Sequence, residues 1–151
     1  MEIGTICQRL VFTVRRCDEV TRAAQLMREK HVGYLVVVDF DPLARPVGVL
    51  TDRDIVVGVV ARQVDPKAVC VGDIMTVNPI TVRESDCLEA ALHRMREFGV
   101  RRLPVVNDRR ELVGILAMDD MLQVMAGDAQ EVVKVIHKER QIEGVTRPQQ
   151  P

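Results

Sequence analysis

The chain has 151 residues, which is enough for one compact unit or two small interlocked ones and too few for a catalytic domain with a separate regulator. Its 21 basic and 22 acidic residues leave a formal net charge of -1, so the chain lacks the positive field typical of nucleic-acid-binding proteins. Aromatic residues are 3% of the total and Trp is absent, which also disfavours a base-stacking platform for single strands.

The first half of the chain predicts two helices and the strands between them. Residues 18–30 place apolar side chains at helical spacing, and Asp18 stands where a helix-capping residue is expected. Those apolar side chains are Val20, Ala23, Ala24 and Met27. The apolar runs at 34–38 and 47–50 suit buried strands, and residues 52–61 open with acidic side chains that favour a helix N-terminus.

The second half repeats these elements after a short connector at 63–72. A helix is predicted at 86–98, with Asp86 at the capping position and the same apolar spacing. The apolar residues are Leu88, Ala91, Leu92 and Met95. Strands are predicted at 103–106 and 112–116.

The C-terminal part predicts two helical stretches and a tail. A closing helix is expected at 119–125 and a further one, beyond Gly127, at 129–140. Residues 143–151 are expected to form a frayed tail. The methionines of this part favour core or dimer contacts: Met118, Met121 and Met125.

The two halves match each other when the chain is shifted by about 68 residues. The shift aligns Thr13-Val14-Arg15 with Thr81-Val82-Arg83, Asp18 with Asp86, Met27-Arg28-Glu29 with Met95-Arg96-Glu97, and Val37-Val38 with Val105-Val106. After a longer first-copy loop at 41–46 the shift becomes about 66, which aligns Gly48 with Gly114 and Asp54 with Asp120. Two units this small would leave sheet faces exposed if they were separate, so we expect one pseudo-twofold module.

This duplicated pattern resembles the CBS-domain family over about residues 7–125. The resemblance rests on the helix entry T-V-R-x-x-D-x-x-x-x-A-x-x-x-M-R-E in both copies, the strand V-R-R-L-P-V-V at 100–106 and the turn G-V-L-T-D-R-D at 48–54. It implies two tandem β-α-β-β-α units, an arrangement of α+β or α/β class. The expected boundaries are 1–66 for the first motif, 67–127 for the second, and 128–151 for a C-terminal helix and tail.

The resemblance also implies a function. Paired CBS motifs, often called a Bateman module, are regulatory sensors that accept adenosine-bearing ligands in clefts between the copies, and they frequently form homodimers. For this chain the implied ligand is AMP, ADP or ATP, with no cofactor required, no catalysis, and a regulated protein as a further partner.

The residue types at 48–54 suggest a ligand site even without the resemblance to CBS domains. Gly48 permits close approach of a ligand or another backbone, and Thr51 offers a hydroxyl at a helix N-terminus. The carboxylate of Asp54 can accept hydrogen bonds from both hydroxyls of a ribose, while Thr51 can donate to a phosphate. The alternative is that Thr51 or Asp52 only caps the helix.

By resemblance, the second copy completes this cleft. Asn78, Pro79 and Ile80 would line the base, and Arg101 or Arg102 would face the phosphates, a task that suits the planar guanidinium fork. The alternative is that both arginines are solvated surface charges.

The second cleft is expected to be weaker. Ala117 stands where the first copy has Thr51, and Tyr34 stands where the second copy has Arg102, so a hydroxyl and a charge are both lost. We expect this cleft to be empty or to take an uncharged adenosyl group, with Tyr34 stacking on a base or filling the space. Its predicted residues are Val11, Phe12, Tyr34, Ala117 and Asp120.

No catalytic constellation is visible. His31, His93 and His137 belong to no metal or nucleophile motif, and the four cysteines form no C-x-x-C pair. A zinc site assembled across the repeat stays open as an alternative, as do S-adenosylmethionine or NAD binding and a constitutive interaction module with vestigial clefts.

Cellular location follows only as an expectation. The N-terminus has Glu2 and no basic region followed by a long apolar core, which predicts no signal peptide. No apolar run reaches about 18 residues, which predicts no membrane span. We expect a cytoplasmic protein with reduced thiols.

Overall fold

The computed structural model describes residues 1–39 and 44–146, with side chains described as far as Lys138. Its contacts divide the chain into one unit, Met1–Ala117, and a second that begins at Met118. The first unit contains two β-sheets with their helices, which confirms the predicted mixed class.

The first sheet has four strands in the order β1-β2-β3-β4. Strand β1 (Thr13–Val14) runs parallel to β2 (Tyr34–Val38), because helix α1 (Val20–Lys30) carries the chain back between them. Strand β3 (Pro46–Thr51) is antiparallel to β2, and β4 (Thr76–Val77) is antiparallel to β3. Strand β4 belongs to the lead-in of the second repeat, which is the segment that precedes the first strand of that repeat's own sheet. The first sheet therefore contains residues of both repeats.

The second sheet repeats the arrangement with three strands. Strand β5 (Val82–Arg83) is parallel to β6 (Arg102–Val106), and β6 is antiparallel to β7 (Leu112–Ala117). Helix α4 (Leu88–Phe98) connects β5 to β6. The β-α-β-β order inferred from the sequence is therefore present in both repeats.

The two repeats exchange their lead-in segments. Thr76 of β4 pairs with Val49 in the first sheet. At the equivalent place in the second sheet, the backbones of Gln8 and Ile115 exchange two hydrogen bonds of 2.9 Å. Each repeat therefore completes the other's sheet, which gives a physical reason for the two copies to fold together.

The apolar spacing of the sequence produces the core. A cluster of buried side chains lies between α1 and the first sheet: Val14, Ala23, Met27, Leu35, Val37, Leu50, Val71 and Met75. Ala91, Met95, Leu103 and Leu116 are the corresponding buried residues of the second repeat. Full burial of a Leu, Val or Met side chain contributes about 1.5–3 kcal/mol, so these clusters supply the main driving force for folding.

Asp18 and Asp86 do not cap their helices as the sequence suggested. Helix α1 begins after Glu19, and Asp18 instead accepts a hydrogen bond from the backbone of Arg15 at 2.8 Å. Asp86 accepts from the backbone of Arg83 at 2.9 Å in the same way. A short carboxylate reaches the N–H three residues before it, so both aspartates close the turn between strand and helix.

Short helical segments connect the first repeat to the second. Helix α2 (Asp52–Ile55) continues as a π-helical segment, Val56–Val60, which agrees with the helix predicted at 52–61. The predicted connector contains a 3₁₀ turn at Pro66–Ala68 and the start of α3 (Val71–Ile74).

The second unit corrects the sequence analysis. Helix α5 (Met118–Thr146) is continuous, where two separate helices and a tail from 143 were predicted. Gly127 does not interrupt it, because one glycine costs a helix only about 1 kcal/mol relative to alanine. The first proline of this part, Pro148, comes later, and the tail prediction beyond 146 lies outside the described residues, as do residues 41–43 of the loop predicted at 41–46.

Candidate functional site

The first unit contains a cavity of about 830 Å³ to which both repeats contribute. From the first repeat it is lined by Gly33, Tyr34, Val49, Thr51, Asp52, Arg53 and Asp54. From the second repeat it is lined by Thr76, Asn78, Pro79, Ile80, Phe98, Gly99, Val100, Arg101 and Arg102. All seven residues that the sequence proposed for the stronger cleft therefore lie on one cavity.

Thr51 and Asp54 form one corner of this cavity at the start of α2. The backbone N–H of Thr51 donates to Asp54 Oδ2 at 2.8 Å, and the backbone N–H of Asp54 donates to the Thr51 hydroxyl at 3.1 Å. This capping box satisfies two N–H groups that a helix start leaves without partners. The hydroxyl hydrogen of Thr51 and Oδ1 of Asp54 retain capacity for further hydrogen bonds, so capping and ligand binding are compatible.

The segment 78–80 leaves β4 through a left-handed residue. Asn78 has φ 51° and its backbone N–H donates to the carbonyl of Val47 at 3.2 Å. Asparagine tolerates this conformation better than most residues, so it suits the turn. The half-buried side chains of Pro79 and Ile80 follow directly and give the cavity an apolar wall.

Arg101 and Arg102 lie at the start of β6 with exposed side chains. The guanidinium carbon of Arg102 is 5.9 Å from the centre of the Tyr34 ring, within range of a cation–π contact. Arg53, at the start of α2, adds a third guanidinium to the residues lining the cavity.

Tyr34 lines this cavity, whereas the sequence analysis assigned it to the second cleft. The reason is its register: Tyr34 pairs directly with Thr51 across β2 and β3, and residues paired in this way share a face of the sheet. Burial raises the pKa of the Tyr34 phenol above its usual value, and the positive charge of Arg102 partly opposes that rise.

Comparison with known families decides the identity of the repeats. The model of the CBS domain matches residues 4–60 and again residues 71–127. The chain belongs to the CBS domain family. Both matched segments contain the strands and helices of one repeat, so the repeats described above are two CBS domains.

Curated relatives are about one third identical to this CBS pair over the aligned segments. Hypoxic response protein 1 of Mycobacterium tuberculosis is 36% identical over 121 residues, which cover 80% of this chain and 78% of that protein. An uncharacterised protein of Methanopyrus kandleri is 36% identical over 124 residues, 82% of this chain. The aligned part spans only 62% of the Methanopyrus protein.

Solved CBS structures have the same fold. A putative signal-transduction protein with CBS domains from Burkholderia ambifaria superposes with a TM-score of 0.75 at 31% identity, covering 85% of this chain and 96% of that one. A CBS domain protein from Pyrobaculum aerophilum, solved in complex with AMP, gives 0.72 at 29% identity, with 80% and 89% covered. Hypoxic Response Protein I, solved with two coordinated zinc ions, gives 0.72 at 32% identity, with 82% and 98% covered.

The residues proposed for the second cleft of the CBS pair lie on several elements. Phe12 packs against the buried core of the first repeat, and Lys30 Nζ lies 5.7 Å from the centre of its ring. Val11 is half-buried, and Ala117 ends β7 opposite Arg102. Asp120 belongs to the first turn of α5, in the second unit.

Several residues lining the cavity were missed by the sequence analysis. Gly33 is packed so closely that a Cβ there would lie 2.5 Å from Oδ2 of Asp52, whose backbone N–H donates to the Gly33 carbonyl at 3.0 Å. Gly33 stands where the second CBS domain has Arg101, and comparison of the two copies would have revealed it. Phe98 lies at the end of α4, a position that local periodicity does not connect with a cavity.

Within residues 1–39 and 44–138, whose side chains the structure describes, no three or more His, Cys, Asp or Glu side chains are placed to hold a metal ion. Nδ1 of His93 lies 3.7 Å from Oε2 of Glu97 on an exposed face of α4. In the same described segments, no helix has the length and apolar character needed to cross a membrane.

Proposed function

We propose that this CBS pair is a regulatory module that binds an adenosine-type nucleotide, AMP, ADP or ATP, in the cavity next to Thr51 and Asp54. The observation that supports the proposal is the cavity itself, because residues from both domains line one space of about 830 Å³. Sites for small ligands typically measure about 300–1,000 Å³ and combine apolar walls with a few polar groups.

Each part of a nucleotide has a chemical partner there. Oδ1 of Asp54 can accept hydrogen bonds from ribose hydroxyls, and the Thr51 hydroxyl can donate to a phosphate oxygen. Arg101 and Arg102 supply positive charge for the phosphate groups. Pro79 and Ile80 offer apolar surface to the base.

Related CBS structures support this class of ligand. The Pyrobaculum protein was solved with AMP. A CBS pair at 25% identity was solved with 5-methylthioadenosine and S-adenosyl-L-methionine, which carry no phosphate and provide the alternative ligand class for the same cavity. The zinc ions of Hypoxic Response Protein I define a further alternative.

Regulation would follow from differential binding. A ligand that binds one arrangement of the two domains more tightly increases the population of that arrangement, and a partner protein then responds to the change. This mechanism requires no catalysis by the CBS pair.

Association into a homodimer is part of the same proposal. Three side chains of the π-helical segment, Val56, Val57 and Val60, are 55%, 55% and 65% exposed. Exposed apolar faces of this kind favour self-association. Light scattering over a range of protein concentrations will give the mass, and a monomer at all concentrations would exclude the homodimer.

Calorimetry tests the proposed function directly. The purified protein is titrated separately with AMP, ADP, ATP, NAD and S-adenosylmethionine, and a phosphate-bearing adenosine ligand is expected to give saturable heat. Absence of binding by all five would disprove nucleotide sensing. A constitutive interaction module would then be favoured if saturating nucleotide also left the mass and the unfolding temperature unchanged.

A further inference from the structure

A contact between equivalent positions joins the two CBS domains at the cavity. Tyr34 begins β2 and Arg102 begins β6, so each occupies the same place in its own repeat. The guanidinium carbon of Arg102 lies 5.9 Å from the centre of the Tyr34 ring, and both residues line the cavity. Duplication of the sequence has therefore placed an aromatic ring and a cation against each other.

The contact restricts a side chain that is otherwise free to move. Arg102 is exposed and has four rotatable side-chain bonds, whereas Tyr34 is half-buried in the sheet. The electron-rich face of a neutral phenol attracts a guanidinium, and a planar guanidinium stacks well on an aromatic ring. The phenol is neutral at physiological pH, because the ordinary tyrosine pKa of about 10 is well above 7 and burial raises it further.

Tyr34 also lies beside Thr51, whose hydroxyl is proposed to donate a hydrogen bond to the phosphate. Tyr34 pairs with Thr51 across β2 and β3, so it lies between the Thr51 strand and Arg102. A phosphate that accepts a hydrogen bond from the Thr51 hydroxyl would therefore share the cavity with this positioned positive charge.

We infer that Tyr34 is a positioning residue, which holds Arg102 over the cavity so that the site selects phosphate-bearing adenosine ligands over uncharged ones. This inference rests on the proposed function and extends it, because it assigns the discrimination between AMP and adenosine to a contact between the domains. Tyr34 acts through Arg102 and is not itself the phosphate ligand.

The chain contains its own probe for this contact. It has one Tyr and no Trp, so intrinsic tyrosine fluorescence reports on Tyr34 alone. In the ligand-free protein, Arg102→Gln is expected to change the emission of Tyr34. Arg94→Gln is a matched control, since Arg94 is an exposed arginine that donates to the carbonyl of Thr81 and is not among the residues lining the cavity. Unchanged emission in Arg102→Gln would show that the stacked contact is absent in solution and would overturn the inference.

Selectivity is then measured as the ratio of the dissociation constants for adenosine and AMP. Tyr34→Leu is expected to lower this ratio about tenfold, close to the effect of Arg102→Gln, because one charge-assisted contact is lost in each case. Tyr34→Phe retains the ring face and should restore the wild-type ratio. In the double variant Tyr34→Leu/Arg102→Gln the two effects should not add, as expected for residues that act through one contact.

The remaining outcomes are distinguishable. Equal weakening of adenosine and AMP by Tyr34→Leu would indicate that the ring stacks on the base, and unchanged selectivity would indicate that Arg102 needs no aromatic support; both contradict the inference. Circular dichroism confirms that each variant is folded, and a misfolded Tyr34→Leu is replaced by Tyr34→Met. Failure of the wild-type protein to bind either ligand would instead remove the proposed function on which the inference rests.

Discussion

Thr51 and Asp54 bind each other across the first turn of helix α2, through two hydrogen bonds of 2.8 and 3.1 Å. The pair caps the helix and also lines the cavity proposed for the nucleotide. Any substitution there changes helix stability and ligand affinity together, so the two effects need separate controls.

Asp54→Ala is expected to reduce nucleotide affinity at least tenfold, since the ribose loses a charged acceptor. The lost cap should also lower the free energy of unfolding by about 1 kcal/mol. Asp73→Ala is the matched control, because Asp73 accepts from the backbone of Cys70 at 2.9 Å in the same arrangement at the start of α3. Calorimetry and denaturant titration of both variants check this; equal losses of affinity would assign the effect to helix capping.

Thr51→Ala gives the first CBS domain the residue that the second domain has at the equivalent position, which is Ala117. Loss of one hydroxyl hydrogen bond should weaken AMP binding by about 1 kcal/mol, or roughly fivefold. Thr51→Ser keeps the hydroxyl and should bind as the wild type does. If the serine variant were as weak as the alanine variant, the methyl group of Thr51 and not its hydroxyl would be responsible.

Gly48→Ala is expected to destabilise the first unit by about 1–3 kcal/mol through overpacking. A Cβ at this position would lie 2.6 Å from Sδ of Met75 and 3.0 Å from the carbonyl oxygen of Thr76, where the lead-in strand of the second domain pairs with β3. The change in the midpoint of urea denaturation measures the effect. A midpoint equal to that of the wild type would show that β4 does not pack closely against Gly48.

Gly127→Ala is expected to increase stability, in contrast to Gly48→Ala. A Cβ at Gly127 meets nothing within 4 Å, and the residue lies inside the continuous helix α5. Replacing an interior helical glycine with alanine should stabilise the helix by up to about 1 kcal/mol. Circular dichroism during thermal unfolding detects the gain; a loss of helicity would argue for a break between two helices, as the sequence alone suggested.

Tyr34 should titrate above the usual tyrosine pKa of about 10, because partial burial desolvates its phenol. A group whose pKa is raised on folding stabilises the folded state below its unfolded pKa, so this contribution should be lost as the pH rises above about 10. Phenolate absorbance follows the single tyrosine directly. Arg102→Gln should raise the pKa further, since the positive charge lowers it, and a downward shift would contradict the contact.

The repeat, the class of fold and most of the helix and strand positions can be predicted from the amino-acid sequence. These features depend on local spacing, such as the apolar residues of 18–30 and their recurrence at 86–98, which near neighbours in the chain establish. Comparison of the two copies and the resemblance to CBS domains also predict seven residues of the candidate site: Thr51, Asp54, Asn78, Pro79, Ile80, Arg101 and Arg102.

The contacts between residues of different repeats could not be predicted from the sequence and are seen first in the folded chain. The register of β2 against β3 places Tyr34 beside Thr51, and the packing of the two domains brings Arg102 onto its ring. The exchange of lead-in segments, with Thr76 beside Val49 and Gln8 beside Ile115, depends in the same way on pairing between distant parts of the chain. Local periodicity contains no information about such pairs, because their energy arises only when both strands are in place.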